Sequence, residues 1–179
     1  MAEDVALNNR FCVVANCIIY DPHPDPSRGH LEDSGNRYLV IRRRSNSMIY
    51  PGLWSVPGGG VEEEDYIERP QTSPNAWNGV LEITMRREVR QEVGIEVGPL
   101  EFLSDFLFIR PDGVPVIGLR YAARALSTDV VCNELESEEF GWIRIGNLAY
   151  LKFIGEIPDE ILKFDAAYAA RMNMHSRYG

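Results

Sequence analysis

Residues 87–95 read Arg87-Glu88-Val89-Arg90-Gln91-Glu92-Val93-Gly94-Ile95, and about thirty positions earlier the chain reads Pro57-Gly58-Gly59-Gly60. Glu88 and Glu92 are four residues apart. On an α-helix that spacing is about 40° of rotation and about 6 Å of rise, so both carboxylates leave one face. Two like charges held that close repel unless a cation lies between them. An oxygen-only donor pair suits a hard divalent ion such as Mg²⁺ or Mn²⁺. A glycine-rich turn ahead of the helix lets the backbone approach a metal or a phosphate closely. The pattern points to a metal-assisted enzyme acting on phosphates. A Glu-x-x-x-Glu pair standing alone would be an ordinary solvated helix face; the motifs around it, in this order, give it weight.

Working outward, Ser73-Pro74 predicts a helix start, and the helix runs to about Val93 and stops at Gly94. Leu81, Met85, Val89 and Val93 form a four-spaced apolar stripe that faces a core, with Glu88 and Glu92 at its rim. Gly79 lies inside this pattern and weakens the first turns. Strands are expected at 11–20, 37–44, 53–56, 100–109, 114–126 and 140–145, with a Pro- and Gly-rich loop at 21–36 and a turn at 110–113. A second helix is expected at 158–171, followed by a loose tail at 173–179.

At 179 residues and a formal net charge of −9, the chain is large enough for one domain with a real core, and a poor candidate for non-specific nucleic-acid binding. It has no apolar run long enough to span a membrane, and Met1-Ala2-Glu3-Asp4 lacks a basic and apolar leader, so no signal peptide is expected. Cys12, Cys17 and Cys132 make an odd, unpaired set that fits a reducing cytoplasm rather than a disulfide framework or a zinc site.

Taken in order, Pro-Gly-Gly, Arg-Glu, the second Glu and Val-Gly-Ile resemble the signature of the Nudix (MutT-like) hydrolases, Gly-x5-Glu-x7-Arg-Glu-U-x-Glu-Glu-x-Gly-U, where U is aliphatic. The likeness is strongest from Gly58 to Ile95 and weaker from about Phe11 to Ile145, with Arg42-Arg43-Arg44 and 51–59 resembling the strand and turn that enter the motif. The chain departs from the signature twice. The signature places 15 positions between its first Gly and the Arg-Glu glutamate, whereas Gly59 and Glu88 are 29 apart, so about 14 residues are inserted at about 62–78. Coming from the Gly-Gly side, Glu62 fits an acid often seen three residues after the motif Gly, and Asp65 takes the early-glutamate position. Gln91 stands where the signature has the first of its paired glutamates, and its neutral carbonyl is a poorer metal ligand.

The resemblance implies an α/β/α sandwich around a mixed β-sheet over 1–179, and a Mg²⁺- or Mn²⁺-dependent hydrolase that splits a diphosphate linkage in a nucleoside diphosphate derivative. It implies that Glu88, Glu92 and the carbonyl of Gly58 hold the metal, and that Arg87 orients the glutamates; a plain surface ion pair of Arg87 with Glu82 or Glu62 is the alternative. The general base is left among Glu92 and the acids ahead of Trp142, Glu138 and Glu139. Arg42 and Arg44 share one strand face and are candidates for phosphate, against a solvated strand end. Tyr50 and Trp54 are candidates to stack on a base, with core packing favoured for Trp54. Pro111 is read as part of a turn. The expected partner is a small nucleotide-type molecule, with no nucleic acid, no membrane, and a homodimer left open. The competing reading is a Nudix-like module that binds a nucleotide or a protein without catalysis.

Overall fold

A computed structural model describes residues 11–22 and 35–178, with side chains described as far as residue 174. In chain order the elements are β1 (Cys12–Asp21), β2 (Arg37–Arg43), β3 (Trp54–Ser55), β4 (Gly58–Gly60), a 3₁₀ turn (Glu63–Asp65), α1 (Val80–Val93), β5 (Glu101–Ile109), β6 (Pro115–Arg124), β7 (Ser137–Ile143), a second 3₁₀ turn (Ile145–Tyr150) and α2 (Ile157–Tyr178). The seven strands form one mixed sheet in the order β3-β2-β1-β6-β5, with β4 also on β1 and β7 on β2. β1 and β6 run parallel, while β1–β2, β1–β4, β2–β3, β2–β7 and β5–β6 are antiparallel.

Alternation along the central strands assigns each residue to a face. Ala15, Cys17 and Ile19 of β1 and Leu39 and Ile41 of β2 pack with Met85, Val89 and Val93 of α1. Ile18, Tyr38 and Val40 look the other way and pack with Ile157, Ile161 and Phe164 of α2. A helix on each face makes the α/β/α sandwich that was expected. Tyr38 also donates its phenol hydrogen to Asp165 of α2 at 2.5 Å, which gives that buried carboxyl a polar partner. No helix among the described residues is long and apolar enough to cross a membrane.

Four local expectations change. α1 begins at Val80, not at Ser73-Pro74. Ser73-Pro74-Asn75-Ala76 instead closes a turn, with the Ala76 N–H on the Ser73 carbonyl at 2.9 Å and Asn75 at φ 58°. Pro at the second position and Asn at positive φ in the third are the signature of a type II turn, so the Ser-Pro pair serves a turn rather than a cap. α2 runs on through the expected loose tail to Tyr178. β4 was not expected as a strand at all, and β7 starts at Ser137, three residues before the strand expected at 140–145. The loop expected at 21–36 lies mostly outside the described residues.

Candidate active site

α1 carries the reactive side chains along its rim. Glu88 and Glu92 are 7% and 5% exposed, although both are carboxylates. Burial drives the Glu92 carboxyl well above the usual carboxylate range; the N–H of Gly58 opposes this, and the charges of Glu88 and Glu136 add to it. Burial raises Glu88 as well, with Arg87 partly offsetting it. Among the described residues, no salt bridge reaches Glu92, whose Oε2 accepts the Gly58 N–H at 2.8 Å.

The glycines of β4 make this approach possible. Gly59 pairs with Ala15, and a Cβ added to it would lie 2.3 Å from Glu88 Oε1. A Cβ on Gly58 would lie 2.3 Å from the Ala15 carbonyl oxygen. No other residue lets β4 sit between β1 and α1 this closely.

Arg87 ties the site to the segment between the turn and the helix. Its Nε and Nη2 donate to the two oxygens of Asp65 at 2.8 and 3.1 Å. Nη2 also donates to the Gly60 carbonyl at 2.9 Å, and Nη1 to Glu88 Oε1 at 2.9 Å and Gln91 Oε1 at 2.8 Å. Asp65 is buried and accepts further hydrogen bonds from Thr84 Oγ1 at 2.7 Å and the Glu62 N–H at 2.9 Å. Burial alone would raise the Asp65 carboxyl, but these bonds and the Arg87 charge outweigh it and hold the group at about 2. The bond to Asp65 above all raises Arg87 in turn. The alternative partners expected for Arg87 contribute little: Glu62 stands at 3.9 Å, and Glu82 pairs with Arg86 at 2.9 Å.

A third carboxylate joins the pair. Oxygens of Glu88, Glu92 and Glu136 lie within 4.8 Å of one another. Residues 130–136 dock on the end of α1, where the Val131 N–H meets the Val93 carbonyl at 3.1 Å and the Asn133 N–H meets the Glu92 carbonyl at 2.8 Å. Asn133 Nδ2 then holds Glu136 Oε1 at 2.9 Å. Sequence reasoning missed Glu136 and left the general base among Glu92, Glu138 and Glu139. The signal was Asn133-x-x-Glu136, the spacing of a capping pair.

Glu138 and Glu139 are not brought to this cluster. Arg42 pairs with both, at 3.2 and 3.4 Å, and Glu138 also accepts the Ser45 N–H at 2.5 Å. The pairing of β2 with β7 slips by one residue between Arg42 and Arg43, and this bulge turns both acids toward Arg42. Arg44 donates to the Glu134 carbonyl and to Asn46. Arg42 and Arg44 are therefore engaged with residues of the chain itself. Trp54 packs in the α2-side core, as favoured, while Tyr50 stays half-buried with its ring centre 6.3 Å from that of Phe108. Gln91 is exposed, with its amide oxygen on Arg87 rather than among the carboxylates. Pro111 is exposed in the β5–β6 turn, where the Arg110 N–H meets the Val114 carbonyl at 2.9 Å.

The family profile described as the NUDIX domain matches residues 28–163. The chain is 27% identical over 121 residues to the nucleoside triphosphatase NudI of Klebsiella pneumoniae (strain 342), covering 62% of this chain and 75% of that protein. It is 24% identical over 147 residues to NudI of Escherichia coli O81 (strain ED1a), covering 76% and 84%. Among solved structures, the MutT protein of Methanosarcina mazei Go1 superposes with a TM-score of 0.63 at 21% identity, over 90% of this chain and 98% of that one. The NUDIX domain of Shewanella oneidensis NrtR, complexed with ADP ribose, does so with a TM-score of 0.64 at 15% identity, over 97% and 94%.

Proposed function

This chain belongs to the NUDIX domain family and is a Nudix hydrolase, and on that premise we propose that it splits the diphosphate linkage of a nucleoside triphosphate or a related nucleoside diphosphate derivative, with a divalent cation held by Glu88, Glu92 and Glu136. The observation that carries this reading is the convergence of three carboxylates, two of them buried, with no salt bridge to Glu92 among the described residues. Buried carboxylates that face one another stay ionised only beside a positive charge, and an all-oxygen set suits Mg²⁺ or Mn²⁺. Bound there, the cation would neutralise phosphate charge and make water a better nucleophile.

The chain's own groups do the rest. Arg87 fixes the Glu88 carboxylate through Nη1, and the Gly58 N–H fixes Glu92. Glu136 is exposed, so of the three acids it is the one placed to take a proton from an attacking water. It thereby takes the part that the sequence left among Glu92, Glu138 and Glu139. Water adds to one phosphorus, the bridging P–O bond breaks, and a nucleoside monophosphate leaves with its pyrophosphate or other phosphate partner. Because the NudI relatives are named as nucleoside triphosphatases, triphosphates are the first substrates to try.

The test is a product-resolved screen with Mg²⁺ and, separately, Mn²⁺. Nucleoside triphosphates, nucleotide sugars, ADP-ribose and dinucleoside polyphosphates are incubated with the protein, and products are identified by mass. Metal-dependent release of a nucleoside monophosphate, abolished in Glu92→Gln, supports the reading. Silence across the panel from folded protein would favour the non-catalytic module instead.

A further inference from the structure

Arg120 of β6 is a buried cation that the site described above does not use; it is 7% exposed. Its place follows from strand register. Gly58 of β4 pairs with Asn16 of β1, and Asn16 pairs with Arg120. Two strand spacings, about 10 Å, separate the glycine turn beside Glu92 from this arginine. Arg120 Nε donates to Asn16 Oδ1 at 3.1 Å. Both side chains face away from α1, on the side of the sheet from which α2 presents Glu160.

The counter-ion is loose. Arg120 Nη1 stands 3.7 Å from Glu160, which Lys163 holds at 2.7 Å and Ser104 approaches at 3.5 Å. Among the described residues, Arg120 Nη2 and Asn16 Nδ2 make no hydrogen bond to the chain. Burial lowers the Arg120 pKa, with Glu160 partly offsetting it, the mark of a cation short of compensation. An aromatic row begins at its guanidinium. The guanidinium lies 4.7 Å from the centre of the Phe106 ring. Phe106 is seated over Gly118, where an added Cβ would lie 2.0 Å from its ring, and it stacks on Phe108 at 6.1 Å. Tyr50, held at φ 53°, stands beyond Phe108.

We propose that Arg120, with Asn16, reads the base of the nucleotide whose phosphates lie at the Gly58 turn, and selects a base with a ring carbonyl over adenine. This rests on the hydrolase reading given above. The free donors are all N–H groups, so they fit a carbonyl or a carbonyl and ring-nitrogen pair, as on guanine, hypoxanthine or uracil. Adenine, like cytosine, carries an amino group where those bases carry the exocyclic oxygen, and an N–H facing an N–H leaves both unpaired. Phe108 and Tyr50 supply an aromatic surface for any base, which gives affinity without selectivity.

The deciding comparison is inosine against adenosine triphosphate, which differ at the oxo or amino group of the base. The expected kcat/KM ratio favours inosine by about tenfold or more. Arg120→Lys keeps the charge but loses the planar fork, and the ratio is expected to fall to within about threefold. A merely structural arginine would lower both rates and leave the ratio unchanged, which would overturn the proposal. Equal turnover of the two nucleotides by the unmodified protein would overturn it as well, whether or not the variant folds. If neither nucleotide is cleaved, only their standing as substrates fails, and the hydrolase reading is judged separately by the full panel. Calorimetric binding of inosine and adenosine monophosphate to the unmodified protein then decides: tighter inosine monophosphate supports the base reading, and equal binding refutes it.

Discussion

Arg87 grips Asp65 with two parallel hydrogen bonds of 2.8 and 3.1 Å across 22 positions of sequence. One guanidinium joins the segment after the glycine turn to the helix that carries the carboxylates. Removing Asp65 leaves Arg87 without its main partner in a largely buried place, a loss of about 3–5 kcal/mol. The bond also sets an acid limit. The folded carboxyl titrates at about 2 against an ordinary 3.8, so its contribution is present above about pH 4 and is lost as pH falls toward 2. That contribution is about 2 kcal/mol. Acid-denaturation curves of the unmodified protein and Asp65→Asn should diverge above pH 4 and converge toward pH 2; parallel curves would refute the assignment.

Glu92→Gln should separate stability from activity. The folded Glu92 carboxyl is raised, so without metal the folded state binds more protons, and stability falls as pH rises above about 4.5. The neutral amide escapes that loss. In chelator at pH 8, Glu92→Gln should melt higher than the unmodified protein, by about 2–4 °C for each kcal/mol recovered. With Mg²⁺ added, the unmodified protein should gain stability and the variant little. Turnover should drop about 10²-fold or more in the variant. A variant that melts lower in chelator would show that the buried carboxylate is not the burden described.

Gly59→Ala tests the contact between β4 and α1. The new methyl would lie 2.3 Å from Glu88 Oε1, so the strand or the carboxylate must move. Overpacking of this kind costs about 1–3 kcal/mol. Displacement of Glu88 should lower kcat by at least about tenfold. Steady-state kinetics beside a thermal melt will show both effects, and unchanged kinetics would mean that Glu88 is not held where chemistry needs it.

Three acids close in sequence should behave differently. Glu136→Gln should lower kcat about 10²-fold, as expected for a positioned proton acceptor. Glu138→Gln and Glu139→Gln alter exposed partners of Arg42, and Glu138→Gln a partner of Ser45 as well, none of them in the carboxylate cluster, and should change kcat by less than about threefold. A large loss at Glu138 or Glu139 with none at Glu136 would restore the original expectation from sequence.

The parts of the site that were legible in the sequence are those that one helix encodes. Arg87, Glu88 and Glu92 share α1, and the period of the helix fixes their common side. Asp65 could be placed by counting from the glycines. β4 was illegible because three glycines carry no alternation of side chains. Glu136 was illegible because it reaches the cluster only when 130–136 docks on the end of α1, a contact between distant parts of the chain. The start of α1 was misread because Ser-Pro suits a helix cap and a turn equally well, and only Gly79 hinted at the later boundary. Arg120 drew no notice because a lone arginine in an apolar strand looks unremarkable until register sets it beside Asn16.

The clasp between Asp65 and Arg87 separates two quantities that a motif normally ties together, the count of residues and the distance between groups. Residues 66–79 begin beside one end of the clasp and lead into the helix that bears the other, so the loop they form can lengthen without moving either end. Each doubling of such a loop costs only about 0.6 kcal/mol in closure entropy. The stretch therefore works as a port for new chain: it can be extended, shortened or exchanged while the carboxylates keep their places. One spatial arrangement can thus be written by sequences whose spacing disagrees.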